Sequence, residues 1–393
     1  MKRVLRIINV GVILLISLMT PGFCFAQSSS ATIEDFKPSS VNQPGKDYPQ
    51  VNSKGQVRVQ ISAPGANKVQ LDIGAVKYDL VKDDKGTWTG ESAAQDEGFH
   101  YYQLNIDGAS VPDPNSLYFY GASRWGSGIE VPAKDQDFYA LKNVPHGEVI
   151  EFPYFSKSNN SMRRCFIYTP PGYAKDIHVR YPVLYLQHGG GENETGWSNQ
   201  GHANLIMDNL IADGKTKPFI IVMDNGSWNI AGPPRGERPA AGQWPPKGWA
   251  DGFTKTLIED IIPMIDTNYR TLADQPNRAM AGLSMGGMQT RAITLAHPEV
   301  FSHIGIFSGG SISPEDLVNA SGFKEKVKLV FVSYGSRELE NPRAGFGGNP
   351  KENTDKLKEA GLNTHFYVSP QTAHEWQSWR RSLKEFAPLL FTN

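Results

Sequence analysis

One serine lies in a pentapeptide whose spacing is typical of an activated nucleophile. Residues 282–286 read G-L-S-M-G, with Ser284 at the centre of the G-x-S-x-G pattern. A short apolar run precedes the pattern and an amphipathic stretch follows it, so a tight strand-to-helix turn is predicted here. Flanking glycines suit such a turn because they carry no Cβ. We predict that Ser284 is the nucleophile; the alternative is an ordinary serine in a glycine-rich turn.

A serine hydroxyl needs a base, which in this arrangement follows the nucleophile and its acid along the chain. Four histidines follow Ser284. His297 lies at a predicted helix end, His303 at a strand entrance and His365 within an alternating strand pattern, and these positions favour structural roles. His374 follows the last predicted strand and precedes the final predicted helix. That loop position predicts His374 as the general base.

The acid that orients the base is expected in the loop after the apolar run at residues 327–332. This loop, residues 333–340, carries two glutamates and no aspartate, and Asp355 falls inside a predicted helix. Glu338 is the favoured acid and Glu340 is the second candidate. Either glutamate could instead be a solvated loop charge.

Two backbone N–H groups should face the oxygen that becomes negatively charged during acyl transfer. Met285, the residue after the nucleophile, is predicted to supply one. The sequence H-G-G-G at residues 188–191 follows the first apolar run and matches the second donor segment of such sites. Gly190 is the predicted donor, with Gly191 as the alternative.

The elements that must position these residues follow from short apolar runs that alternate with amphipathic stretches after residue 181. Continuous apolar strands with helices between them imply a parallel sheet that is covered on both faces. Residues 146–393 are therefore predicted to form an α/β-hydrolase domain with a mostly parallel sheet. The predicted strands are 183–186, 219–223, 279–281, 304–307, 327–332 and 364–368, and the predicted helices are 254–268, 287–296, 349–360 and 377–390.

The region before residue 146 has a different pattern of apolar and polar residues. From residue 56 short segments alternate apolar and polar residues, with turn residues between them, which is typical of a small antiparallel β-sandwich. The predicted strands are 57–61, 68–73, 87–89 and 100–106. The sandwich is expected to end near residue 107, and an aromatic and glycine-rich connector completes the domain at residues 51–145. Residues 27–50 are rich in Ser, Pro, Asn and Lys and predict a flexible leader.

The first 26 residues have the three parts of an export signal: a basic start, an apolar run at 10–18 and small residues before Ala26. The run is too short to span a bilayer, so we expect a cleaved signal peptide and a secreted or periplasmic protein without stable membrane insertion. A lipoprotein signal is the alternative because Cys24 follows the run, although the bulky Phe23 disfavours it. Cleavage would leave Cys165 without an intramolecular disulfide partner.

Composition excludes several classes of partner and cofactor. Removal of the signal moves the formal net charge from −1 to −4, which is poorly suited to neutralising phosphate backbones, so nucleic acid is not an expected partner. The histidines are scattered without metal-ligand spacing, and one cysteine cannot build a cluster. No metal and no cofactor are expected for this type of hydrolase.

Several motifs together resemble carbohydrate esterases of family 1, the feruloyl and acetylxylan esterases that act on plant cell-wall xylan. The resemblance runs from about Glu148 to the C-terminus, and the preceding domain is similar to the early-set (CBM48-like) module of many bacterial members. The family commonly has aspartate as its acid in a G-x-x-D segment, whereas Glu338 stands at that position after Gly335. The motifs are residues 168–173, 188–191, 260–263, 282–287 and 374–376.

The resemblance implies a secreted serine esterase that hydrolyses ester decorations of xylan or xylo-oligosaccharides. Feruloyl release is favoured over acetyl release. Tryptophans near the predicted site could stack on a phenolic ring or a sugar face, and Trp197, Trp228, Trp244 and Trp376 are the predicted substrate-binding residues. The alternatives are a siderophore (enterochelin-type) esterase and a non-catalytic carbohydrate-binding protein.

Overall fold

The computed structural model describes residues 34–227, 246, 248–340 and 348–392. The N-terminal part is a sandwich of two antiparallel sheets, one in the order β1-β2-β3-β7-β6 and the other in the order β10-β11-β8-β4-β5, with β9 paired to β8. The strands are Lys37–Pro38 (β1), Gln50–Val51 (β2), Gln56–Ser62 (β3), Val69–Ile73 (β4), Val76–Asp79 (β5), Val81–Lys82 (β6), Thr87–Ala94 (β7), Gly98–Ile106 (β8), Ala109–Val111 (β9), Tyr118–Gly121 (β10) and Arg124–Val131 (β11).

Alternation along these strands builds the core between the two sheets. In β4, Val69, Leu71 and Ile73 are buried while the residues between them are partly exposed. They pack with inward-facing residues of β3 and β8, among them Val59 and Leu104. Every second side chain of the strand therefore enters the core, and this is the alternation from which the strands were predicted.

Two boundaries expected from the sequence are wrong. The expected leader contains β1, which pairs with β2, and Val41 is buried, so the ordered sandwich begins before residue 51. The expected connector contains β10 and β11, which form a hairpin that extends the second sheet. Glycines interrupt the alternation of this hairpin, which is why its strands resemble a connector in the sequence.

The C-terminal part is built on an eight-stranded sheet in the order β12-β13-β15-β14-β16-β17-β18-β19. The six strands from β14 to β19 are parallel, as predicted, and an antiparallel hairpin of β12 and β13 extends one edge. The strands are Glu148–Ser156 (β12), Ser161–Thr169 (β13), Val183–Gln187 (β14), Ile220–Asp224 (β15), Arg278–Leu283 (β16), His303–Phe307 (β17), Leu329–Gly335 (β18) and Thr364–Ser369 (β19).

Helices cover both faces of this sheet. Leu184 and Leu186 of β14 face one apolar cluster, whereas Val183 and Tyr185 face another, so successive residues enter opposite cores. The helices are Ala203–Ala212 (α1), Asp251–Lys255 (α2), Ile262–Asn268 (α3), Met285–Ala296 (α4), Phe323–Lys326 (α5), Ser336–Leu339 (α6), Pro350–Glu359 (α7) and Trp376–Phe386 (α8), and a π-helical segment at Thr256–Ile261 joins α2 to α3. None of the helices in the described ranges combines the length and apolar character needed to cross a membrane.

The sandwich packs against the C-terminal part, here also called the hydrolase-like part, through α8. Phe99 and Phe119 of the sandwich belong to the same apolar cluster as Trp376 and Leu383 of α8. The fully buried Arg380 guanidinium donates to both carboxylate oxygens of Glu130 at 2.6 and 3.0 Å. The two parts of the chain therefore share a buried interface, and it lies beside the loop that carries His374.

Candidate active site

Ser284 lies at the turn between β16 and α4, as predicted. Its backbone has φ 51° and ψ −115°, a conformation that L-residues rarely adopt and that is typical of a strained nucleophile turn. A Cβ at Gly282 would lie 2.4 Å from the Gly286 carbonyl carbon, and one at Gly286 would lie 2.6 Å from the His188 oxygen. Only glycine fits at either position, so both glycines of the motif are needed for this turn.

A continuous hydrogen-bond chain joins the three residues predicted for acyl transfer. The Ser284 hydroxyl donates to His374 Nε2 at 2.9 Å, and His374 Nδ1 donates to Glu338 Oε1 at 2.8 Å. The three side chains come from three separate loops at the carboxyl ends of β16, β18 and β19. Such a chain can accept the serine proton as the hydroxyl attacks a carbonyl carbon.

Glu338, rather than Glu340, contacts the imidazole. Glu338 lies in α6, directly after β18, and its side chain is only 10% exposed. Its second oxygen accepts hydrogen bonds from the Ser308 hydroxyl and the Gly335 N–H, each at 2.8 Å. Glu340 lies beyond the end of α6 and is exposed.

Ser308 and Trp379 support the imidazole and its acid, and Ser308 was not identified from the sequence. The Trp379 ring meets the His374 ring edge to face at 5.1 Å, and its N–H donates to the Ser308 hydroxyl at 3.2 Å. That hydroxyl in turn donates to Glu338. The sequence signal for Ser308 is its position at the carboxyl end of β17, between the strands that carry Ser284 and Glu338.

The two predicted amide donors adjoin the nucleophile. Met285 is the first residue of α4, where backbone N–H groups have no partner within the helix. A Cβ at Gly190 would lie 3.9 Å from the Met285 Cβ and would meet no other atom that close, so the two residues border one open space. Among the described residues, the Gly190 N–H meets no hydrogen-bond acceptor. The described residues therefore leave the Gly190 N–H free for another acceptor.

His188 supports the segment 188–191, here called the amide loop, through hydrogen bonds of its imidazole. Its Nε2 accepts from the Gly226 N–H at 3.1 Å, so Nδ1 carries the proton and donates to the Gly189 carbonyl at 2.8 Å. Burial lowers the pKa of His188. A neutral imidazole thus holds the segment that presents Gly190.

The prediction for two of the tryptophans is corrected by their burial. Trp197 and Trp376 are 1% and 2% exposed and pack edge to face at 5.5 Å. The Trp197 N–H donates to the Gln187 carbonyl. Neither ring offers a free face to a substrate, because both rings are buried. They pack beneath the loops around the site and stabilise them. Trp228 and Trp244 lie outside the described residues.

A buried carboxyl group beside the amide loop was also missed by the sequence analysis. Glu192 is 8% exposed, and its carboxylate accepts from the Tyr101 hydroxyl at 3.1 Å and from the Gly189 N–H at 3.4 Å. Burial raises the pKa of Glu192 to about 7. Tyr101 belongs to β8 of the sandwich, and no local sequence pattern signals a contact across 91 residues.

No metal site accompanies this arrangement in the part of the chain that the structure describes, where no three His, Cys, Asp or Glu side chains could hold an ion together. Cys165 is a buried free thiol on β13.

Comparisons with known proteins identify the family of this chain. The Esterase family model, described as "Putative esterase", matches residues 156–390. The endo-1,4-beta-xylanase/feruloyl esterase of Xylanibacter ruminicola is 46% identical over 366 residues, which are 91% of this chain and 48% of that protein. This chain thus spans about half the length of that relative.

Two solved structures share the fold. A ferulic acid esterase of Anaeromyces mucronatus, solved in complex with ferulic acid, has a TM-score of 0.53 at 21% identity and covers 66% of this chain and 96% of its own. The enterobactin esterase of Shigella flexneri has a TM-score of 0.59 at 16% identity and covers 89% of this chain and 95% of its own. Because the family model matches more than half of the chain, the protein belongs to the Esterase family, and residues 156–390 form its esterase domain.

Proposed function

We propose that this protein is a secreted serine esterase that removes feruloyl groups from plant cell-wall xylan or its oligosaccharides, with acetyl release as the second activity. The observation that carries the proposal is the hydrogen-bond chain from Ser284 through His374 to Glu338, with the Met285 and Gly190 amides beside the serine. This set of groups performs acyl transfer and needs no cofactor.

In the proposed mechanism, Ser284 Oγ attacks the ester carbonyl carbon while His374 Nε2 takes the hydroxyl proton. The Met285 and Gly190 N–H groups stabilise the oxyanion, and Glu338 stabilises the imidazolium through Nδ1. Collapse of the intermediate breaks the ester bond, and His374 gives its proton to the departing sugar oxygen, which leaves as a hydroxyl. Water then attacks the acyl-enzyme with His374 as base, which releases the carboxylic acid and restores Ser284.

The relatives support the aromatic ester as substrate. The Xylanibacter ruminicola protein is a xylanase and feruloyl esterase and is similar over 91% of this chain, including the sandwich. The ferulic acid esterase of similar fold binds ferulic acid. We carry the feruloyl substrate over to this chain on that similarity.

A substrate panel tests the choice of acyl group. Purified protein should hydrolyse methyl ferulate with a higher kcat/KM than methyl acetate and should release ferulic acid from feruloylated xylan. Activity confined to acetylated xylan and short acyl esters would reverse the order of the two activities.

The siderophore esterase is retained as a second candidate for one reason. The enterobactin esterase of Shigella flexneri covers 89% of this chain, which means that its fold includes a domain before the hydrolase as well. Ferric enterobactin therefore belongs in the same panel. Its hydrolysis in the absence of any turnover of methyl ferulate would favour this second function.

The proposed site of action is outside the cytoplasm. The basic start, apolar run and small residues of the first 26 positions support export with cleavage after Ala26. N-terminal sequencing of the protein recovered from culture medium or periplasm should begin at Gln27. Recovery of the intact N-terminus from the cytoplasm would contradict export.

A further inference from the structure

We propose that Tyr101, a residue of the N-terminal sandwich, is a positioning residue that holds both the His374 loop and the amide loop of the active site. The inference rests on the proposed serine esterase function. It makes the sandwich a structural component of the catalytic machinery and not only an appended domain.

The Tyr101 hydroxyl is the meeting point of hydrogen bonds from two active-site loops. It accepts from the Trp376 N–H at 3.2 Å and donates to Glu192 Oε1 at 3.1 Å. It also accepts from Gln200 Nε2 at 2.6 Å. The hydroxyl thus accepts from two donors, and its one hydrogen faces two acceptors, Glu192 at 3.1 Å and the Tyr120 carbonyl at the longer distance of 3.4 Å.

One of these bonds leads to the general base. Trp376 follows His374 by two residues and begins α8. Its ring packs edge to face on Trp379 at 5.3 Å, and Trp379 packs in the same way on the His374 ring at 5.1 Å. Holding the Trp376 N–H therefore restrains the aromatic support of the imidazole.

The other bond leads to the amide donors. Glu192 and Gly189 close a turn in which the Glu192 N–H donates to the Gly189 carbonyl at 3.2 Å and the Glu192 carboxylate accepts from the Gly189 N–H at 3.4 Å. Gly190, the proposed oxyanion donor, lies within this turn. Tyr101 therefore restrains the backbone that must aim an N–H at the oxyanion.

A second contact from the sandwich reaches the same loop. The Ser123 N–H donates to the Gly191 carbonyl at 2.8 Å. Ser123 and Ala122 form the turn between β10 and β11, and both have left-handed backbones, with φ of 62° and 50°. These φ values are those of a two-residue hairpin turn, which presents the Ser123 N–H to the amide loop.

The ring of Tyr101 is also fitted to its position. It packs edge to face on Phe99 at 5.0 Å. A Cβ at Gly121 would lie 2.2 Å from the Tyr101 ring, so the glycine leaves the space that the ring occupies. Replacing tyrosine by phenylalanine keeps this packing and removes only the hydroxyl.

Tyr101→Phe and Tyr102→Phe form a matched pair that separates positioning from stability. Tyr102 is the next residue of β8, and its buried hydroxyl donates to Asp113 at 2.8 Å inside the sandwich, away from the site. Both variants lose one tyrosine hydroxyl that bonds a carboxylate. Only Tyr101→Phe releases the two active-site loops.

Two rates are measured on the full-length protein: turnover of methyl ferulate and the rate of Ser284 labelling by a fluorophosphonate. We expect Tyr101→Phe to lower kcat and the labelling rate by about tenfold, with KM within about twofold, because small displacements of catalytic groups cost rate more than binding. Tyr102→Phe should leave both rates within about twofold of the wild type. Thermal melting checks that each variant is folded.

A second variant keeps the inference testable if Tyr101→Phe does not fold. Trp376→Phe removes the indole N–H that ends on the same hydroxyl and should lower both rates in the same direction. The inference is overturned if Tyr101→Phe or, in its place, Trp376→Phe leaves both rates unchanged, or if Tyr102→Phe lowers them equally. A wild-type protein that neither turns over esters nor takes the label overturns the proposed function itself, and this inference with it.

Discussion

Glu338 shows how a glutamate can reach the imidazole at a position where the sequence resemblance implies aspartate. The longer side chain would carry the carboxylate too far if it were extended. Instead Glu338 lies in the first turn of α6 and folds back, so that Oε2 accepts the Gly335 N–H while Oε1 meets His374. The local helix start thus absorbs the extra methylene.

Alanine variants of Glu338 and Glu340 should show which of the two glutamates assists His374. Glu338→Ala is expected to lower kcat by about 10³- to 10⁴-fold, because the imidazole loses both its orientation and the charge that stabilises its protonated form. Glu340→Ala should stay within about twofold of the wild type, since that residue is exposed. Steady-state kinetics with methyl ferulate checks both, and the reverse result would move the acid to Glu340.

Glu192 should make stability depend on pH. Burial raises its pKa in the folded protein from the ordinary 4.5 to about 7. The folded state therefore holds this proton more tightly than the unfolded chain, so the stabilisation is complete below about pH 4.5 and is lost as the pH rises through about 7. The ionised carboxylate at higher pH is a buried charge.

Glu192→Gln tests this sign, because glutamine keeps the shape and cannot ionise. Its free energy of unfolding relative to the wild type should rise between about pH 5 and about pH 8 by on the order of 1–3 kcal/mol. Urea denaturation at the two pH values measures the difference. Glu340→Gln, at an exposed position, is the control, and a difference for Glu192→Gln that does not change with pH would contradict the prediction.

At the scale of elements, the predicted strands and helices of the hydrolase-like part are confirmed. Continuous apolar runs such as 219–223 gave β15, and amphipathic stretches such as 287–296 gave α4. A strand that is buried on both faces has a continuous apolar run, and a helix that is buried along one side has apolar residues at helical spacing. Both patterns can be recognised in the residue types alone.

The β10–β11 hairpin could not be recognised in this way. A Cβ at Gly126 would lie 1.9 Å from the Gln103 side chain, and one at Gly128 would lie 2.4 Å from the Phe99 ring. The glycines of this hairpin make room for large side chains on the neighbouring β8. Glycine is required at these positions by side chains of the neighbouring strand, which the local sequence does not show. The local sequence therefore resembles a loop.

Gly128→Ala should therefore destabilise the sandwich although alanine is otherwise a mild change. The added methyl group would overlap Phe99 and also Phe119, at 2.7 Å, and overpacking of this kind costs about 1–3 kcal/mol. Gly65→Ala is the matched control, because nothing lies within 4 Å of its new methyl group. Denaturation of both variants measures the costs, and equal stabilities would contradict the packing argument.

At the scale of the whole molecule, a buried ion pair joins the sandwich to α8. Burial alone would raise the pKa of Glu130, but the adjacent Arg380 guanidinium outweighs it and holds that pKa below its ordinary value. Both groups therefore stay charged out of contact with water, and each depends on the other. A second pair across the same interface, Arg337 with Asp96, is exposed.

The two pairs should differ sharply when one acid is removed. Glu130→Ala leaves Arg380 as an unpaired buried charge and is expected to cost about 3–5 kcal/mol of unfolding free energy. Asp96→Ala removes an exposed pair and should cost at most about 1 kcal/mol. Chemical denaturation of the full-length variants compares them. Equal costs would show that the buried pair does not hold the two parts together.

Contacts at this scale were the least predictable from the sequence. The hydrogen-bonded set of Ser284, His374 and Glu338 could be predicted because each residue follows a recognisable strand and the chain order of such sites is fixed. The contact of Tyr101 with Glu192 and the burial of Trp197 depend on how the sandwich and the C-terminal part meet. Neither composition nor periodicity records that arrangement.

The proposed mechanism requires that the hydroxyl of residue 284 becomes acylated. Fluorophosphonate treatment followed by peptide mass spectrometry should place the label on Ser284 in the wild type. Ser284→Ala should take no label and lose at least about 10³-fold in methyl ferulate turnover while melting like the wild type. A label on another residue, or an alanine variant with wild-type turnover, would show that the chemistry lies elsewhere.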